Sequence, residues 1–84
     1  MYVLATGTFN EREKLGPSLE SEAAKIHELR DRGLILGAYR RADDSGAEFL
    51  LDVGSEQEAR ELMNQLPFAK AGVLSFTYAE LLEL

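Results

Sequence analysis

The chain contains no cysteine, no tryptophan, a single histidine and only two prolines, and each scarcity removes a class of protein. Without cysteine there is no disulfide framework, no thiolate nucleophile and no sulfur-ligated metal. One histidine cannot assemble the histidine-rich sites that hold zinc or iron, so neither metal nor cofactor is expected. Basic charge is also in short supply: 9 Lys and Arg stand against 15 Asp and Glu, a net charge of −6. No basic stripe interleaves with aromatics, and nucleic acid is not an expected partner. Nor does any apolar run approach the ~20 residues that span a bilayer, and the opening MYVLATGTFN lacks a basic region followed by an apolar one. The expectation is a cytoplasmic protein with no membrane partner.

What remains is an ordinary globular composition, 45% hydrophobic and 29% charged over 84 residues, the size of one small domain spanning 1–84. Residues 2 to 9 are rich in β-branched and aromatic side chains and read as a first strand ending at Asn10. A charged stretch over 10 to 16 leads to Pro17, suited to the first position of a helix because it has no N–H to satisfy. That helix is predicted over 17 to 32, with Leu19, Ala23, Ile26 and Leu29 on one face and Gly33 as its left-handed cap.

Two strands follow at 34 to 41 and 47 to 53, joined by turn chemistry at Asp43-Asp44-Ser45-Gly46. Ser55 with Glu58 three residues on forms a capping box, and Ala59, Leu62, Met63 and Leu66 repeat at helical spacing until Pro67. A loop over 68 to 72 then precedes a fourth strand at 73 to 80. The order is βαββαβ: an α+β, ferredoxin-like fold with a four-stranded antiparallel sheet.

Two helices cover one face of such a sheet. The other face carries Leu4 and Leu50 beside Tyr and Thr side chains, and an apolar patch of that extent predicts a second copy laid against it. The expected assembly is a homodimer or larger homo-oligomer, with a substrate cavity between the two sheets.

The segment Gly33 to Pro67 resembles the central part of the muconolactone isomerase family. The resemblance is carried by Gly33, the pair Tyr39-Arg40, Ala42, Asp52-Val53, Ser55 and the run Gln65-Leu66-Pro67. The Phe-Ala-Lys-Ala-Gly after Pro67 departs from the proline-containing sequence usual there and is similar to the YCII-related proteins, whose histidine near the start of the first helix is replaced here by Ser18 and Leu19. The resemblance implies a dimeric α+β barrel, a cofactor-free isomerase that moves a proton on a small lactone or carbonyl substrate, and a catalytic glutamate at Glu22.

Glu22 is also the strongest candidate on the residues alone. Its spacing from Leu19, Ile26 and Leu29 puts a carboxylate inside an apolar stripe, where desolvation raises its pKa toward that of a useful base; alternatively it snorkels into water near the helix N-terminus. His27, at i+4 from Ala23, reaches the cavity as an acid or packs at the helix rim. Tyr39 and Arg40 point to opposite faces of their strand, so only one of them meets the cavity unless a bulge intervenes. Tyr39 suits hydrogen bonding to an enolate, and Arg40 or Arg41 suits a bidentate grip on a carboxylate. Leu50 and Asp52, on the face expected between the sheets, complete the expected substrate contacts.

Overall fold

Alternating apolar positions in four segments close a single antiparallel sheet in the order β2-β3-β1-β4, with β1 at Tyr2–Phe9, β2 at Ile35–Arg40, β3 at Gly46–Asp52 and β4 at Leu74–Leu81. This computed structural model describes residues 1–11 and 16–84, so part of the charged stretch read over 10 to 16 lies outside the described residues. Between the strands run α1 (Leu19–Asp31), α2 (Glu56–Met63) and a short α3 (Pro67–Lys70). The two central strands, β1 and β3, pair over the whole of β3, from Tyr2 opposite Asp52 to Thr8 opposite Gly46. This is the ferredoxin-like βαββαβ arrangement that the sequence predicts.

Strand parity decides what each face buries. Val3, Ala5, Phe49 and Leu51 point toward the helices and join Leu29, Ala59, Leu62, Met63 and Leu66 in one core. α1 packs over β2, and α2 over β4 and β1. Ser55 caps α2 as expected: its hydroxyl accepts from the Glu58 N–H at 3.0 Å, and Glu58 Oε2 accepts in return from the Gly54 N–H at 3.1 Å. Gly33, with φ 76°, ends α1.

Three local features differ from expectation. Pro67 does not end the helical region but opens α3, where its missing N–H again costs nothing, and the loop read over 68 to 72 is helical as far as Lys70. Leu19, placed on the buried face of the first helix, is 57% exposed, and Ala23 is exposed as well. α1 begins only at Leu19, after a single 3₁₀ turn at Gly16–Ser18, so its first turn stands clear of the sheet. Finally, β2 carries a bulge between Ile35 and Gly37: Ile35 pairs with Leu51 but Gly37 already pairs with Leu50.

That bulge reverses the parity of the rest of β2. Ala38 comes to lie opposite Phe49 and Arg40 opposite Ala47, while Tyr39 lies opposite Glu48. Ala38 and Arg40 are thereby turned to the helix-covered face and Tyr39 to the open one.

Candidate active site

A cavity of about 330 Å³ lies between α1 and its own sheet, with Phe9, Phe49, Phe68, Ile26 and Ala38 among its apolar walls. Its polar lining comes from Glu22, His27 and Arg30 of α1 and from Tyr39 and Arg40 of β2. This cavity lies within a single chain, between its helix and its sheet, whereas the expected one lay between two sheets.

Glu22 is the one buried charged residue among the described residues, 5% exposed. Its Oε1 accepts from the Phe68 backbone N–H at 2.9 Å. Oε2 accepts no hydrogen bond from a described residue and is not a fully buried orphan, and Glu22 lines the cavity. Burial pushes the Glu22 carboxyl above the ordinary carboxylate range, and the hydrogen bond from Phe68 pulls it back in part. Burial is the larger of the two effects, so the net direction is upward. The choice left open by the sequence, between a snorkelling and a desolvated glutamate, resolves to the second.

His27 and Arg30 follow on the same side of α1, five and eight residues beyond Glu22, and both are exposed at the cavity mouth. Arg40 reaches the cavity from β2 and lies 3.5 Å from Asp44. Tyr39 touches the rim, but the residue is 65% exposed and its ring lies over Gly37: a Cβ there would sit 2.7 Å from the Tyr39 hydroxyl oxygen. Its hydroxyl thus belongs to the open face.

The other expected contacts are not brought to this cavity. Arg41 pairs with Glu48 at 3.2 Å and Asp43 at 3.7 Å beyond the end of β2. Leu50 lines a shallower depression on the open sheet face with Tyr2, Leu36, Leu81 and Leu82. Asp52 sits 3.7 Å from the N-terminal ammonium. Leu50 and Asp52 share the open face by strand parity, which separates them from Glu22 by the thickness of the sheet.

Arg30 and the aromatic walls are what the sequence reading missed. Arg30 follows His27 at i+3, so helical spacing alone would have placed it on the cavity side. Phe9 and Phe68, whose ring centroids lie 6.3 Å apart edge to face, come from segments 59 positions apart (68 − 9) and carry no local signal.

No family model and no curated protein sequence matches this chain. Among solved structures, it is similar to the 5-chloro-2-hydroxyhydroquinone dehydrochlorinase (TftG) of Burkholderia phenoliruptrix, determined in complex with 2,5-dihydroxybenzoquinone. The two superpose with a TM-score of 0.73 over 96% of this chain and 93% of that one, at 18% sequence identity. At that identity the likeness shows the fold alone. No helix among the described residues is long and apolar enough to cross a membrane.

Proposed function

We propose that this chain is a cofactor-free enzyme that moves a proton on a small cyclic carbonyl, lactone or hydroxylated ring, with Glu22 as the general base. The observation that carries the reading is a desolvated carboxylate with one oxygen held by the Phe68 N–H and the other open to an apolar cavity of ring-sized volume. A base near neutral strength removes a proton most effectively when its own pKa has been raised toward working pH, and burial moves Glu22 in that direction. Holding Oε1 fixes the carboxylate so that Oε2 alone takes the proton.

The step balances simply: the C–H or O–H bond of the activated ring breaks, Glu22 becomes the carboxylic acid, and the electron pair remains on the ring as an enolate. Returning the proton at another carbon isomerises the ring; expelling a halide from the enolate completes an elimination. Both start from the same deprotonation, so the resemblance to lactone isomerases and the dehydrochlorinase activity of the structural neighbour support a common first step. His27 is the group at the cavity mouth suited to donating a hydrogen bond to the enolate.

One observation favours a second reading, a ring-binding protein without turnover. Tyr39, the residue the sequence offered as enolate donor, has its ring over Gly37. The two readings separate in a turnover screen. Enolisable cyclic ketones, butenolides and chlorinated hydroxyquinols are incubated with the protein and followed by NMR and chloride release. Isomerisation or elimination of at least one ring class is expected; binding without conversion across the panel contradicts the enzymatic reading.

A further inference from the structure

We propose that the cavity selects a small ring bearing one delocalised oxyanion, a carboxylate or an enolate oxygen, and that Arg30 is the residue that selects it. The inference rests on the reading of the Glu22 cavity as a ligand site and adds the charge of the ligand to it.

The starting observation is a local inversion of charge. The chain carries a net −6, yet among the described residues the cavity lining holds two arginines and the histidine against a single carboxylate. Away from the cavity, Lys25 pairs with Glu28, Arg41 with Glu48 and Asp43, and Arg60 with Glu56 and over the Tyr78 ring, while Arg32 and Lys70 make no such contact among the described residues and do not line it. Of the two arginines at the cavity, Arg40 lies beside Asp44. Arg30 makes no ion pair or hydrogen bond with any described residue, although acidic side chains outnumber basic ones in the chain. Among the described residues that line the cavity, it is the guanidinium without an ion pair.

Geometry assigns it a task. Glu22 and Arg30 are eight residues apart on α1, about 12 Å along the axis, with Ile26 and His27 between them. Side chains of a helix lean toward its N-terminus, so the Arg30 guanidinium is carried back over the turn holding Ile26 and His27, toward the cavity. The space between carboxylate and guanidinium is walled by Phe9, Phe49 and Phe68 and fits one ring with a substituent. An anionic group on that ring meets the planar fork of Arg30 in a bidentate grip at the mouth. The same grip keeps the anion at the far end from Glu22, so like-charge repulsion does not oppose the base.

The grip on an oxyanion had been expected of Arg40 or Arg41; ion pairing of the first and displacement of the second leave Arg30 to supply it. The competing account is purely local. Arg30 stands in the last turn of α1, where a positive charge is favoured by the helix dipole whatever the cavity holds. That account predicts a stability effect and no effect on ligand choice.

Titration calorimetry at low salt with benzoate and benzamide separates the two, because these probes share a ring and differ in charge. Wild type should bind benzoate roughly tenfold or more tightly than benzamide, Arg30→Gln should bring the two within about threefold, and Arg30→Lys should fall between. 2,5-Dihydroxybenzoquinone, a ring enolate near neutral pH, serves as the second arm: if it loses affinity with Arg30→Gln while benzoate does not bind, the oxyanion is an enolate rather than a carboxylate. Arg30 is exposed, so folding of the variant is readily verified by its melting curve. Equal affinity of wild type for benzoate and benzamide together with an Arg30-independent enolate arm overturns the proposal, as does a preference that survives Arg30→Gln or the failure of every probe to bind. Failure of the enzymatic reading is distinguishable, since it shows as absent turnover with the Arg30-dependent preference intact.

Discussion

Phe68 donates its backbone N–H to Glu22 Oε1 at 2.9 Å, joining the first turn of α1 to the first turn of α3 across 46 positions of sequence. This single bond fixes one oxygen of the only buried charge among the described residues and leaves the other for chemistry. It also explains how a desolvated carboxylate is tolerated, since a charged acceptor strengthens a hydrogen bond where water is excluded.

A raised pKa in the folded state has a defined sign in stability. Between the ordinary glutamate value of 4.5 and its higher folded value, Glu22 binds more protons folded than unfolded. Stability contributed by Glu22 is therefore greatest at low pH and falls as pH rises through that window, the reverse of a salt-bridged carboxylate. Glu22→Gln keeps an oxygen to accept from Phe68 and removes the titration. Urea denaturation across pH should show the variant gaining on wild type as pH rises and levelling off above the folded pKa. A difference that stays flat with pH contradicts a desolvated Glu22.

Two glycines separate steric from conformational demands. At Gly46 an added Cβ would lie 1.8 Å from the Gly7 carbonyl oxygen, a backbone atom that cannot swing away. Gly46→Ala should cost about 3 kcal/mol, the upper end for overpacking, and disturb the pairing of β1 with β3. Gly33 has open space around it but φ at +76°, so Gly33→Ala should cost only about 1 kcal/mol of left-handed strain. Equal losses in chemical denaturation would contradict this division.

The open sheet face makes a prediction about assembly. Leu36 is 46% exposed there, and Tyr2, Leu50, Leu81 and Leu82 line one depression with it. We expect a second copy to cover this face, giving sedimentation at twice the 9.3 kDa chain mass at micromolar concentration. Leu50→Lys buries an unpaired charge in that interface and should return the protein to monomer without unfolding it. A wild type that sediments at 9.3 kDa contradicts the pairing.

Much of this architecture is legible in the residues because the signals are local. Ser55 with Glu58 gives a cap, Gly33 a left-handed helix end, and alternation in β3 the split between Phe49 and Leu50 faces. Glu22 is legible only in part: its helical spacing from Ile26 and Leu29 allows burial or snorkelling, and the contact with Phe68 of α3, which decides for burial, has no local signal. The bulge at Leu36 is not, since it exists only in the pairing of β2 with β3, and a one-residue slip exchanges every later side chain between faces. That slip is why Tyr39 and Arg40 fall on faces that sequence could not assign. The placement of the cavity depends on it too, along with the overhang of α1 at Leu19 and the docking of α3 through Phe68, all set by tertiary contact.

The central claim is that Glu22 takes a proton from a bound ring, and deuterium incorporation measures that step directly. A ring found to be converted is incubated in D₂O with wild type and with Glu22→Gln, and uptake at the activated carbon is followed by NMR. The account predicts rapid uptake with wild type and a rate lower by roughly 10²–10⁴ with the folded variant, the usual worth of one acid–base group. Uptake at the wild-type rate by Glu22→Gln would contradict it.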